Sequence, residues 1–341
     1  VETVGYDDFG SSGWVVTPVG KTALEQALAR YLSLAVTVES IVFAEPHPLS
    51  SSPTTGDGFA PRRGTLTTRS GRGDAERIEL FFKIPSEREV EAHVLGRRLG
   101  LRHLPRIIVP SLDIQGSDGE TKAFCYVYAP GGPLGGGSGG SLFTAESLPE
   151  GIVADMAVLH ASTAGHSEAY LRRGYTVVSG ESLAGEASVA EPAAYLDLPY
   201  VRDDAGAAED LLRRADAVLP HAVDLTVASG PVVVHGELEP RNIVAGDGDE
   251  YTLVDWGDMG LGWAALDLAP CLGYDQIPLY RGRVAERNPS WGPPDENALA
   301  AARLVHALVH LKRLVRGDGP PPVPDVVKVW IERLEEALTR L

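Results

Sequence analysis

Cysteine is nearly absent from this chain: Cys125 and Cys271 are the only two in 341 residues. No disulfide framework and no CxxC metal pair can be built from them, so a reducing, cytoplasmic compartment is expected. Lysine is almost as scarce, five residues against twenty-five arginines, which makes each lysine worth examining. No apolar run approaches the roughly 20 residues that cross a bilayer. The opening VETVGYDDFG lacks the basic-then-apolar order of a secretory leader. Positive charge is in deficit, with a net charge of −17, which disfavours nucleic acid and anionic membranes as partners. A hydrophobic content of 44% fits a globular chain with a sizeable core.

Several site signatures are begun but not completed. Gly20-Lys21-Thr22 resembles the end of a phosphate-binding P-loop, but Val15 stands where its first glycine belongs. Gly135, Gly137 and Gly140 match GxGxxG without a strand before them or a helix after, so a dinucleotide site is not expected. His235-Gly236-Glu237 has the H-x-E order of zinc deaminases. Their second thiolate is missing, because Leu272, Gly273 and Tyr274 follow Pro270-Cys271. His306 and His310 share a helix face at metal-pair spacing. No third ligand is evident in the sequence, so packing or a solvated face is expected.

What is present is concentrated. Residues 181–275 hold 19 acids, four arginines and no lysine, so that stretch alone carries −15. Such charge serves solubility, and it equally suits a pocket for a polycationic small molecule or a basic peptide. Within it, Val232–Val234 form a short apolar strand that leads into His235-Gly236-Glu237, with Asn242 five residues after Glu237. A second apolar strand, Tyr251–Val254, delivers Asp255. Two strands thus end in loops that carry carboxylates. Phosphoryl transfer needs one side chain to take or orient the proton of the attacking hydroxyl, and oxygen ligands for Mg²⁺.

HGELEPRN, then LVDWGDMGLG, then ALDLA resembles the aminoglycoside phosphotransferase-like family, a branch of the protein-kinase-like fold. That family shows H-G-D-x-x-x-x-N, I-D-W and G-x-x-x-x-D-L-A in this order. The resemblance implies that Glu237 takes the place of the catalytic carboxylate and that Asn242 and Asp255 are the magnesium ligands. It implies a structural His235 and a buried Asp267 that braces the catalytic loop. Glu237 departs from the family's Asp by one methylene, an offset of about 1 Å that catalysis can feel. Glu239, Asp258 and Asp275 lie near these motifs in sequence and are candidates to line an acceptor pocket.

Lys83 ends the apolar strand LFFKI, where a cation either snorkels or meets phosphate. On a helix over Glu87–Leu99, an inward face of Val90, Val94, Leu95 and Leu99 puts Glu91 near its middle and Glu89 nearly opposite. The expected ion pair is therefore Lys83 with Glu91. FCYVYAPGGPL resembles the family's hinge, which implies that backbone groups of Tyr126, Val127, Tyr128 and Ala129 meet the adenine. The family often has Glu where Val127 stands. The kinase glycine motif is absent; Ser50, Ser51, Ser52 and Thr54 are alternative donors over the phosphates.

The expected fold is α+β and protein-kinase-like, with two lobes. Residues 1–129 form an N-lobe with an antiparallel sheet of about five strands and one key helix. Residues 130–341 form a mainly helical C-lobe. Residues 1–20 read as an arm or loop and 165–205 as irregular. Helices are expected over Lys21–Leu32, Glu150–Ala164, Ala207–Leu219 and Glu296–Arg316, and after an N-cap at Asp325. His160 reads as a core or capping histidine. The expected activity is O-phosphotransfer from ATP, with GTP as the alternative donor, and Mg²⁺, to a small cationic natural product or antibiotic. The alternatives are a kinase of Ser or Thr in a precursor peptide and a nucleotide-binding pseudokinase scaffold, for which Glu237 is the motive.

Overall fold

Thr17 starts the first helix. Its side chain accepts the Gly20 N–H at 3.1 Å and Pro18 follows at the first helical position, which together fix the N-terminus. The helix therefore begins before Lys21, and residues 15–20 are a short strand and a first turn rather than a loop. The computed structural model describes residues 15–44, 62–70, 75–116, 119–127, 131–134, 145–189, 192–195, 197–198, 205–246, 248, 250–317 and 324–341. Two compact units emerge, residues 1–90 with 105–130, and residues 91–104 with 131–341.

The smaller unit contains β1 (Val15–Val16), α1 (Pro18–Leu32), β2 (Val36–Phe43), β3 (Arg62–Ser70), β4 (Ala75–Lys83), the start of α2 (Glu87–Leu99), β5 (Ile107–Gly116) and β6 (Gly119–Val127). Six strands rather than five form one antiparallel sheet in the order β1-β5-β6-β4-β3-β2. Alternation along β3 and β4 sends Leu66, Leu80 and Phe82 into the core, where they meet Leu24 and Leu28 of α1 and Leu112 and Ile114 of β5. Phe82 carries its ring edge-on to Phe43 at 5.0 Å. Lys83 ends β4 opposite Phe124.

The larger unit continues with β7 (Gly132–Pro133), α3 (Glu150–Thr163), α4 (Ser167–Leu171), α5 (Gly180–Ala187), α6 (Pro192–Tyr195), α7 (Ala205–Val227), β8 (Pro231–Val234), β9 (Ile243–Ala245), β10 (Tyr251–Leu253), β11 (Gly260–Trp263), α8 (Ala264–Leu268), α9 (Ile277–Arg287), α10 (Glu296–Arg316) and α11 (Pro324–Arg340). Three short helices thus interrupt the stretch read as irregular. Helix α7 runs well past Leu219 with Pro220 inside it. Its apolar stripe of Leu211, Leu212, Ala215, Leu219, Ala222 and Val223 packs on α10 and α11, and that burial outweighs the hydrogen bond Pro220 removes. Asp325 lies in the first turn of α11 rather than at its cap, where an acid still favours the helix dipole. Asp295 caps α10 through the Ala298 N–H at 2.9 Å, and Gly317, at φ 72°, closes it.

Two small antiparallel sheets, β11-β8 and β10-β9-β7, carry the chemistry-bearing loops. β8 pairs with β11 and β9 pairs with β10. Buried Val232 and Val233 anchor β8. The Leu253 N–H donates to the His103 carbonyl at 2.7 Å. Asp155 of α3 accepts the Arg102 and His103 N–H groups at 2.9 and 2.8 Å. The loop after α2, α3 and β10 are thereby fixed to one another. The α+β architecture expected from the sequence, an antiparallel-sheet unit and a mainly helical unit, is the one observed.

Candidate active site

Asp267 is the centre from which the larger unit's site is built. It sits in α8, only 7% exposed. Its Oδ2 accepts the His235 N–H and its Oδ1 the Gly236 N–H, each at 3.0 Å. His160 Nε2 lies 3.1 Å from Oδ2, and the Tyr280 hydroxyl lies 2.9 Å from His160 Nδ1. A carboxylate can only accept, so Nε2 carries a His160 proton. Burial alone would raise the Asp267 carboxyl. The hydrogen bond and charge of His160, with the His235 N–H, hold it below its ordinary value. This is the brace that the resemblance implied.

The loop that Asp267 grips is held from the other side by His235, which is fully buried. Its Nε2 donates to the Val254 carbonyl at 3.0 Å, and its Nδ1 accepts the Glu237 N–H at 3.3 Å. Burial pushes its pKa down, against the neighbouring acids Asp267, Asp255 and Asp258, so the ring is neutral and both nitrogens have defined roles. Its ring packs against Trp256 at 4.6 Å, and the Trp256 indole donates to the Leu253 carbonyl at 2.8 Å. His235 thus connects the loop that carries Glu237 to the strand that delivers Asp255. Gly236 turns at φ 93°, and a Cβ there would lie 2.3 Å from the Asp258 carbonyl oxygen. Only glycine fits both constraints.

Glu237, Asn242 and Asp255 are brought together by backbone as much as by side chains. The Asn242 amide nitrogen donates to the Glu237 carbonyl at 2.8 Å. The Asn242 carbonyl accepts the Val254 N–H at 2.8 Å, so Asp255 is the next residue along. Asp255 adopts left-handed backbone, φ 62° and ψ 58°, a conformation of the kind that clusters at functional sites. With its nitrogen committed, Asn242 presents Oδ1 as the atom suited to a hard cation. That oxygen and the Asp255 carboxylate fit Mg²⁺ by donor type.

The Glu237 side chain is about one-third exposed and pairs with Arg241 at 3.4 Å. Partial burial raises its pKa; Arg241 opposes the rise, and Asp258 and Asp255 add to it. A carboxylate raised in this way is a better proton acceptor than an ordinary surface glutamate. Arg241 also places its Nε 2.6 Å from Glu239, which is buried. This bridge between Glu237 and Glu239 was not anticipated, although the spacing of four from Glu237 to Arg241 is legible in the sequence. Asp258 lies close enough to act on Glu237. Asp275 is in the short helical turn before α9.

In the smaller unit, Lys83 pairs with Glu89 at 3.1 Å, and Glu89 also accepts from the Tyr126 hydroxyl at 2.9 Å. The expected pair with Glu91 is therefore corrected to Glu89. Glu91 instead accepts from the Tyr175 hydroxyl at 2.5 Å and pairs with Arg173 at 3.2 Å. The reason lies in the face that α2 buries. Glu89, Ala92, His93 and Gly96 are buried, whereas Val90 and Val94 are 39% and 66% exposed. A Cβ on Gly96 would meet the Leu104 side chain at 2.4 Å. The face is made of small residues and an ion pair, so apolar spacing pointed the wrong way. The Val127 N–H donates to the Arg106 carbonyl at 2.9 Å. Tyr128 and Ala129, the serine and threonine loop from Ser50 to Thr54, and the glycines Gly135, Gly137 and Gly140 lie outside the described residues.

Residues 181–299 match the phosphotransferase enzyme family, APH. No curated protein matches this chain. Among solved structures, the GDP and kanamycin complex of APH(2")-IIia is 16% identical, with 91% of this chain and 99% of that one covered at a TM-score of 0.48. The macrolide 2'-phosphotransferase MphH from Brachybacterium faecium is 19% identical, with 94% and 97% covered and a TM-score of 0.47. Choline kinase LicA from Streptococcus pneumoniae is 12% identical, with 94% and 99% covered and a TM-score of 0.44. The family match falls on the segment that holds the Asp267-braced loop, Glu237, Asn242 and Asp255, the same segment in which HGELEPRN, LVDWGDMGLG and ALDLA carry the resemblance.

Proposed function

We propose that this protein is an ATP- and Mg²⁺-dependent O-phosphotransferase whose acceptor is a hydroxyl of a small cationic natural product or antibiotic. The observation that carries the reading is the catalytic loop gripped by Asp267 at two backbone N–H groups, with Glu237, Asn242 and Asp255 joined through it. In this reading the sheet unit up to residue 129 binds nucleotide, and the unit from residue 130 supplies catalysis and acceptor. GTP is the alternative donor. Free, buried Cys125 and Cys271 are consistent with a cytoplasmic protein, and no helix among the described residues is long and apolar enough to cross a membrane.

Glu237 takes the proton of the acceptor hydroxyl as its oxygen forms a bond to the γ-phosphorus. The bond from that phosphorus to the β,γ-bridging oxygen breaks, and the nucleoside diphosphate leaves with the electron pair. Lys83, held by Glu89, stabilises phosphate charge in the nucleotide. Asn242 Oδ1 and Asp255 would hold Mg²⁺, which neutralises phosphate charge when bound. Phosphorylation of a cationic antibiotic cancels positive charge, which suits resistance or self-protection during biosynthesis.

Thermal shift with ATP and GTP, with and without Mg²⁺, is the first test. A ligand at a hundred times its Kd stabilises by about 2.7 kcal/mol, so a Mg²⁺-dependent rise in Tm is expected, followed by phosphate transfer to a cationic antibiotic. Asp255→Ala is expected to lose the Mg²⁺-dependent rise and turnover together; full turnover in that variant would overturn the reading. The excess of acid over residues 181–275 also suits a basic precursor peptide. A phosphate mass shift on such a peptide, with none on antibiotics, would transfer the reading to peptide phosphorylation. No shift with either nucleotide would favour a scaffold.

A further inference from the structure

Helix α10 supplies two imidazoles, and the catalytic loop supplies the third group that the sequence did not reveal. One ligand atom from each of Glu239, His306 and His310 falls within a set whose members all lie within 4.8 Å of one another. We propose that these three residues form a binding site for one divalent transition-metal ion, Zn²⁺ fitting best, separate from the magnesium pair Asn242 and Asp255.

The donor chemistry separates the two sites. Two imidazole nitrogens and one carboxylate oxygen are a borderline set that suits Zn²⁺, Co²⁺ or Ni²⁺, whereas Mg²⁺ prefers oxygen alone. Ligands at about 2.0–2.2 Å from a tetrahedral ion stand about 3.4 Å apart, so the three groups need to close by about 1 Å. His310 Nε2 already lies 4.0 Å from Glu239 Oε1. A fourth position remains for water.

The surroundings are arranged for it. The two carboxylate oxygens of Glu239 are divided, Oε1 toward His310 and Oε2 on Arg241 at 2.6 Å. Arg241 thus supports the ligand from its other oxygen, as outer partners of metal-binding carboxylates do. Trp330 stacks on the His310 ring at 4.3 Å and 12° and meets the His306 ring at 5.2 Å, which fixes both planes. Burial lowers both imidazoles, aided at His306 by His310, Arg313 and Arg333 and at His310 by Arg313 and Arg241, which take His310 to about 4; neutral imidazole is the ligating form. The same arginines oppose a cation, and Glu239 is the carboxylate that offsets them. The His310 side chain is 18% exposed, which gives the ion a way in. A bound ion would tie the catalytic loop to α10 through the residue two positions after Glu237.

The test uses the full chain, free of any histidine tag and stripped with chelator, and titrates Co²⁺ as the probe. One equivalent should give the visible absorption of tetrahedral Co²⁺, be displaced by Zn²⁺ and raise Tm. His306→Ala and His310→Ala should each lose the absorption, and Glu239→Gln should weaken binding by about tenfold or more. Asp255→Asn, at the magnesium pair, should keep it. Far-ultraviolet circular dichroism matching the parent shows that the variants fold, and Asp255→Asn keeps the comparison open if one does not. No absorption in the parent chain, or absorption unchanged in folded His306→Ala and His310→Ala, would overturn the proposal. Either result leaves Mg²⁺-dependent phosphotransfer to be judged by its own assay.

Discussion

At the residue scale, the partners of single charged groups decide what each can do. Lys83 is held by Glu89, whose carboxylate is buried and shared with Tyr126. Removing one member of a buried pair costs about 3–5 kcal/mol. Glu89→Ala is therefore expected to lower stability on that scale in denaturant titrations and to weaken nucleotide binding. Glu91→Ala, which frees Arg173 and Tyr175, is expected to lower stability by about 1 kcal/mol or less and to leave nucleotide affinity unchanged. Equal losses in both variants would return Glu91 to the phosphate-binding role. Glu239 makes a second residue-scale prediction. Burial, opposed by Arg241 and aided by Glu237, raises its pKa from 4.5 to about 7. A carboxyl with a raised folded pKa binds its proton more tightly when folded. Its contribution to stability is full below 4.5 and is lost as pH rises to about 7. In chelator-treated protein the stability of Glu239→Gln relative to the parent should climb across that window, by on the order of 3 kcal/mol, and then level off. A flat difference from pH 4 to 8 would show that Glu239 is not shifted.

At the scale of elements, the loop from His235 to Asn242 is defined by what holds its two ends. β8 leads in through Val232 and Val233, and the Val254 N–H closes onto Asn242. Between these points Gly236 turns with φ 93° against the Asp258 carbonyl. Gly236→Ala is expected to destabilise by about 1–3 kcal/mol and to cut kcat more than it changes KM, since the loop would leave Asp267. Parent-like kcat in that variant would mean that the loop tolerates a different turn. HGELEPRN and Asp255 were readable from residue order because each follows directly on a short apolar strand, and Asp267 because it belongs to the same ordered motif. The Lys83 partner was not, because α2 buries small residues and an ion pair while Val90 and Val94 face water. Tyr280 joins the site through His160, a contact that no spacing along the chain announces.

For the whole molecule, charge is the property that bears on a partner. The chain carries −17, and residues 181–275 carry −15 of it. Long-range attraction of a cation to such a surface weakens as salt shortens the Debye length from about 10 Å at 0.1 M to about 3 Å at 1 M. If the acceptor is cationic, its KM should rise severalfold between low and high salt while nucleotide KM changes little. A salt-independent acceptor KM would point to a neutral acceptor.

The sequence by itself determined the α+β class and the order of the candidate site residues, and its family resemblance pointed to a buried Asp267. Each of these depends on hydrophobic alternation or on a motif whose members are close along the chain. Only the tertiary structure decided which glutamate meets Lys83, how His160 and Tyr280 support Asp267, and that Glu239 meets His306 and His310. Those are contacts between residues tens to more than a hundred positions apart, or choices of helix face made by packing. Apolar periodicity records which side of a helix is greasy, and cannot record a face closed by glycine, alanine and an ion pair.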